Sequence, residues 1–169
     1  LYELGRKSKE AIEKARKTLA DFLNAEEKEI YFTASGTESD NWALKGTAFA
    51  MRKRGTHIIA SAIEHHAVLN SAHWLSKNGF TVTYLPVDGQ GIIKLDELEK
   101  ALTPETTLVS VMLANNEIGT LQPIKEIVEI CRKNRTLVHT DCVQAVGAVG
   151  VDVKDIGCDM ATLSAHKFY

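Results

Sequence analysis

Lys167 stands near the end of the stretch "ATLSAHKFY" (161–169). A lysine amine enclosed in a site can lose its proton and form a Schiff base with an aldehyde, whereas a lysine on its own is ordinarily a solvated surface cation. The first reading gains weight from three other groups. Ser35-Gly36-Thr37-Glu38 opens a helix, where backbone N–H groups and the positive dipole end hold a phosphate. Gly36 permits close approach there and Thr37 adds a hydroxyl, although the same four residues also read as a plain capping box. Asp141 ends an apolar strand, where a carboxylate is costly without a partner. A cationic ring nitrogen would satisfy it, and so would a turn or helix cap. His65 and His66 are adjacent, so they do not share a helix face, and no carboxylate lies at a ligand spacing from them. One of the two can instead offer a flat ring for stacking or proton transfer.

A phosphate cradle, a buried acid, a stacking ring and an amine are together what pyridoxal 5'-phosphate requires. The phosphate needs the helix start, the ring nitrogen an acid, the ring face a partner and the aldehyde carbon an amine. Neither a GxGxxG fingerprint nor a GxxxxGK[ST] loop is present, which disfavours a nicotinamide-binding domain or a P-loop protein.

These groups need a scaffold that brings them together. Strand-like runs are expected at 29–34, 57–64, 81–87, 107–114, 136–143 and 160–167. Helical patterns separate them. A first helix is expected to start at Ser8 and carry the stripe Ile12, Ala15, Leu19, Phe22 and Leu23. Another begins near Pro123, with apolar residues at 124, 127, 128 and 131. Alternating strands and helices, with several strands continuously apolar, predict a three-layer αβα fold with a mostly parallel sheet. Ligands of such sheets gather at the carboxyl ends of the strands. Ser35 to Glu38, His65, Asn115 to Gly119, Asp141 with Gln144, and His166 with Lys167 all fall there.

Hydrophobic residues make up 44% and charged residues 25% of the 169, with a formal net charge of −2. This balance disfavours direct nucleic-acid or anionic-membrane binding. No apolar run is long enough to span a bilayer, and the charge-rich start does not read as a signal peptide. Cys131, Cys142 and Cys158 form no paired framework, which suits a reducing, cytoplasmic setting.

The segments "SGTESDNWALKG", "EHHAVL", "ANNEIGTLQPI", "HTDCVQAVG" and "SAHKFY" closely resemble successive signatures of the cysteine desulfurases, which are fold-type-I, class-V pyridoxal phosphate enzymes. Order and spacing agree across residues 31–169. The resemblance implies that 1–169 is the cofactor-binding large domain, incomplete, with the family's opening segment and C-terminal domain absent. It makes Lys167 the Schiff-base lysine, and His65 the residue that stacks on the ring and shuttles protons. Asp141 would pair with the ring nitrogen and Gln144 with the phenolate oxygen. Gly36, Thr37, Ser164 and His166 would bind the phosphate, and Asn116 would lie near the substrate carboxylate and the cofactor oxygen. It further implies a homodimer that takes sulfur from L-cysteine, leaving L-alanine and an enzyme persulfide. An iron–sulfur scaffold, tRNA thiolation or another sulfur-acceptor protein would receive that sulfur. The attacking cysteine of the family lies downstream of the lysine, so none of the three cysteines here is expected to be it. Strand alternation turns Cys142 away from the face of Asp141. The fragment alone is expected to be inactive. Selenocysteine lyases, other class-V lyases or aminotransferases, and a non-catalytic scaffold of the same fold remain alternatives.

Overall fold

The computed structural model describes residues 2–168. Five parallel strands form one sheet in the order β2-β1-β3-β4-β5. They are β1 (His57–Ser61), β2 (Thr81–Leu85), β3 (Thr106–Ser110), β4 (Leu137–Asp141) and β5 (Met160–Thr162). The helices are α1 (Glu3–Leu23), α2 (Gly36–Asn41), α3 (Thr47–Ala50), α4 (His66–Ser76), α5 (Leu95–Ala101), α6 (Ile124–Lys133) and α7 (Val153–Ile156). A π-helical stretch, Trp42–Gly46, joins α2 to α3.

Alternation along the strands divides the core into two layers. Ile58, Ala60 and Leu108 pack with Leu44 and Ala48 and with Val68, Ala72 and Leu75 of α4. Ile59, Val109 and Val138 face the other way, onto Leu98 of α5 and Ile127, Val128 and Cys131 of α6. The sheet is therefore covered on both faces, which explains why the β1 and β3 residues are buried throughout. The apolar stripe expected on α6 is buried at all four positions, Ile124, Ile127, Val128 and Cys131.

Two expectations are corrected. Residues 29–34 are not a strand. The carbonyl of Ile30 accepts from the Arg16 guanidinium, and the Tyr31 and Phe32 rings are largely exposed. Apolar content alone does not make a strand without a neighbouring ladder to take its backbone groups. The first helix begins at Glu3, and Ser8 lies inside it with its hydroxyl on the Leu4 carbonyl. Of its apolar stripe only Leu23 is buried, together with Ala20, while Ile12 and Phe22 are exposed. The strand-like runs at 57–64 and 160–167 are also shorter than expected, and their last residues form the turns that carry His65 and Lys167.

Candidate active site

β1, β3, β4 and β5 are adjacent in the sheet and parallel, so their carboxyl ends lie side by side. His65 follows β1, Asn116 follows β3, Asp141 and Gln144 end and follow β4, and Ser164, His166 and Lys167 follow β5.

Ser35 caps α2 through its hydroxyl, which accepts the Glu38 N–H at 3.1 Å, and the Glu38 carboxylate accepts the N–H of Ala34. The capping interactions are therefore real, but they leave the N–H groups of Gly36 and Thr37 without a helical acceptor. A Cβ on Gly36 would stand 3.3 Å from both the Ser164 Cβ and the Val143 Cγ2. Any larger residue would push the helix start or the Ser164 and Val143 side chains apart by a few tenths of an ångström, so glycine suits this close approach to the β4 and β5 exits. Ser39 strengthens the junction, its hydroxyl lying 3.0 Å from that of Thr162 in β5.

After β5 the chain enters a 3-10 turn, Ala165–Lys167. The Lys167 N–H reaches the Ser164 carbonyl at 3.0 Å, and the Ser164 hydroxyl lies 2.9 Å from His166 Nδ1. His65 is the N-cap of α4. Its Nδ1 accepts the Ala67 N–H at 3.2 Å, which puts the ring proton on Nε2 and leaves the ring exposed. Asn115 takes the structural role in its loop, donating to the Ile63 carbonyl and accepting from the N–H groups of Glu117 and Ile118. Asn116 is left exposed and lines, with Gln144, a cavity of about 540 Å³.

Asp141 is 4% exposed and accepts the Val143 N–H at 2.8 Å. Burial pushes its carboxyl up, against that hydrogen bond and the nearby His65. Behind it lies a network that sequence reading missed. His139 is fully buried on the same strand face, with Nδ1 2.9 Å from the Ser110 hydroxyl and Nε2 3.0 Å from that of Thr162. Asp40 of α2, 2% exposed, brings Oδ1 to 3.6 Å from that Nε2. Burial, then Asp141, raises the Asp40 carboxyl to about 7, while burial lowers His139 to about 4 and keeps it neutral. Glu64 is a third buried acid, pushed well up first by burial and further by Asp141 and Asp40. The spacing of two between His139 and Asp141 was the available signal, because it places both on one face.

This cluster gives a pH dependence. An acid whose carboxyl is raised by folding binds its proton more tightly when folded, so stability falls as pH rises through the folded value. His139 and His57, both lowered by burial, act oppositely, but only below the ordinary imidazole value of 6.5. Above that value the acids alone set the trend. Cofactor-free protein is expected to melt at lower temperature as pH rises through about 7, and Asp40→Asn to flatten the slope. Thermal unfolding followed by circular dichroism checks this, and an unchanged slope in the variant removes Asp40 as its source.

The three cysteines are poor nucleophiles where they lie. Burial raises the thiols of Cys131 to about 12 and Cys158 to about 11, and that of Cys142 further still. Cys142 packs in the α6-side layer, opposite the face of His139 and Asp141.

The family profile Aminotransferase class-V matches residues 1–169, and the chain belongs to this family, whose cofactor is pyridoxal phosphate. Its sheet and flanking helices are those of a fold-type-I pyridoxal phosphate enzyme domain. More particularly, it is 59% identical over 168 residues to "Cysteine desulfurase IscS" of Methanosarcina thermophila, covering 99% of this chain and 42% of that protein. A solved "NIFS-LIKE PROTEIN" superposes with a TM-score of 0.96 at 44% identity, over 99% of this chain and 46% of the other. "SspA in complex with cysteine" does so with a TM-score of 0.94 at 40% identity, over 99% and 48%. The chain thus spans less than half the length of the relatives it matches.

Proposed function

We propose that residues 1–169 are the cofactor-binding large domain of a cysteine desulfurase. The observation that carries this reading is that four neighbouring strand ends and one helix start each carry one or more residues of the kinds the cofactor needs. The groups also suit pyridoxal phosphate chemically. Gly36 leaves a cradle that a Cβ would fill, and three buried acids stand together with no lysine or arginine in an ion pair to them among the described residues. A cationic ring nitrogen would meet that need.

In this reading Gly36, Thr37, Ser164 and His166 hold the phosphate. Asp141, already fastened by the Val143 N–H, presents its remaining oxygen to the ring nitrogen. Gln144 donates to the phenolate oxygen, and Asn116 orients the substrate carboxylate from the shared cavity wall. His65 covers one ring face and carries its proton on Nε2, from which it can be passed. Lys167 anchors the aldehyde carbon and moves protons at Nζ. When bound, pyridoxal phosphate supplies the electron sink that delocalises charge developing on the amino acid. A thiol of the enzyme outside these residues takes the sulfur. L-cysteine and that thiol give L-alanine and the persulfide: the substrate C–S bond and one S–H bond break, one S–S bond forms, and the proton ends on the former Cβ as a C–H bond.

L-cysteine is favoured as substrate by the cysteine-desulfurase relatives and by the cysteine complex of SspA. A homodimer, an iron–sulfur scaffold or other sulfur acceptor as partner, and a cytoplasmic setting complete the proposal. The test is to supply the full-length protein with pyridoxal phosphate and with cysteine, selenocysteine, or an amino acid plus a 2-oxo acid. Alanine from cysteine is expected, with sulfide released when a thiol reductant is added to reduce the persulfide. A cofactor absorbance band with turnover only of selenocysteine, or only transamination, would overturn the desulfurase reading.

A further inference from the structure

The chain runs from β1 out to β2 and then back across to β3 on the other side of β1. Such a reversal opens a crevice between the carboxyl ends of β1 and β3, where ligands of parallel sheets collect. One side chain spans it. Glu64, 5% exposed, reaches from the β1 exit and accepts the Met112 N–H beyond β3 through Oε1 at 2.7 Å. Its Oε2 is buried with no hydrogen-bond partner among the described residues. Lesser ties flank it, from Asn115 to the Ile63 carbonyl at 2.9 Å and from the Ile63 N–H to the Ser61 hydroxyl at 3.1 Å. The next residue is His65, whose ring is exposed at the start of α4.

A buried acid with one backbone donor and an orphaned oxygen calls for an explanation. A strut that must be both stiff and water-free supplies one. We infer that Glu64 is a positioning residue, which bridges the β1 and β3 exits and thereby fixes the height and tilt of the His65 ring over the cofactor. Burial, with Asp141 and Asp40 acting the same way, pushes its carboxyl well up, which favours the uncharged form in a site already holding acids. The inference rests on reading His65 as the stacking partner.

The test uses full-length holoenzyme and two readouts besides turnover. These are the dissociation constant of pyridoxal phosphate and the visible circular dichroism per bound cofactor, which reports ring orientation. Glu64→Gln keeps an acceptor for the Met112 N–H and carries no charge, and is expected to hold the wild-type dichroism with affinity changed by less than about threefold. Glu64→Ala orphans the Met112 N–H and is expected to weaken affinity about tenfold or more and to alter the dichroism. In a His65→Ala background the dichroic effect of Glu64→Ala should vanish. Should Glu64→Ala not fold, Glu64→Asp replaces it, because a shorter arm reaches Met112 only by dragging His65 and must alter the dichroism. Glutamine behaving like alanine, or alanine or aspartate retaining the wild-type dichroism, overturns the strut. A wild-type protein that binds no cofactor overturns the underlying reading instead.

Discussion

Lys167→Ala in the full-length protein is expected to abolish covalent retention of pyridoxal phosphate and to lower sulfide release from cysteine at least about 10³-fold. A positioned proton-transfer group alone contributes about 10²–10⁴ in rate, and loss of the anchor adds to that. The geometry explains why little else should change. Lys167 is exposed, and the turn that holds it is built from backbone, with its own N–H on the Ser164 carbonyl at 3.0 Å. Alanine keeps that bond, so the fold should persist. Borohydride reduction followed by mass spectrometry checks the result. A cofactor-sized adduct should appear on wild-type protein and be absent from the variant. An adduct that survives the substitution would move the anchor to another residue.

The second large effect is expected from Asp141→Asn. Asparagine still accepts the Val143 N–H and still fits a site that is 4% exposed, but it carries no charge to set against a ring nitrogen. Hydrogen bonds to charged groups contribute about 1.5–3 kcal/mol, so cofactor affinity should fall about ten- to 150-fold. Turnover should fall by about 10²-fold or more, since a preorganised charge beside the reacting system is lost. The cofactor-free variant should melt no lower than wild type, because removing one buried acid relieves its repulsion with Asp40. Titration of apoprotein with pyridoxal phosphate, beside a thermal melt, separates the two effects. Unchanged affinity would sink the assignment of Asp141 to the ring nitrogen.

The periodicity of the sequence was enough to read the layers and the parallel sheet, because apolar runs mark the strand centres and α6 carries a clear buried stripe. It was not enough at residues 29–34, where apolar residues lie on the surface and the Ile30 carbonyl is taken by Arg16. Strand ends were misjudged for a related reason. β1 stops at Ser61 because the Ser61 hydroxyl takes the Ile63 N–H and turns the chain. The burial of Glu64 follows from that turn, and no local pattern announces it. Asp40 sits in the polar run "ESDN" and reads as a solvated helix face. The packing of α2 on α4 and on the β4 and β5 ends of the sheet encloses it, through contacts between residues far apart in the chain. Gly36, His65, Asp141 and Lys167 could be put forward as site candidates because each is a chemically distinctive group just beyond a strand or at a helix start. The acids behind them could not, because their role is set by depth, which residue type does not encode.

The arrangement of the sheet also bears on time. Every strand pairing is parallel, so none is closed by a hairpin, and each must wait for a crossover to fold back. Closing such loops is slow compared with forming helices. Gly36 emerges early in the chain and Ser164 late, yet they meet only once β5 has docked beside β4. His65 and Asp141 can take their places sooner, since β1, β3 and β4 are already neighbours without β5. The junction of Gly36 with Ser164 therefore waits on β5, and the lag with which cofactor binds during refolding is expected to report when β5 docks.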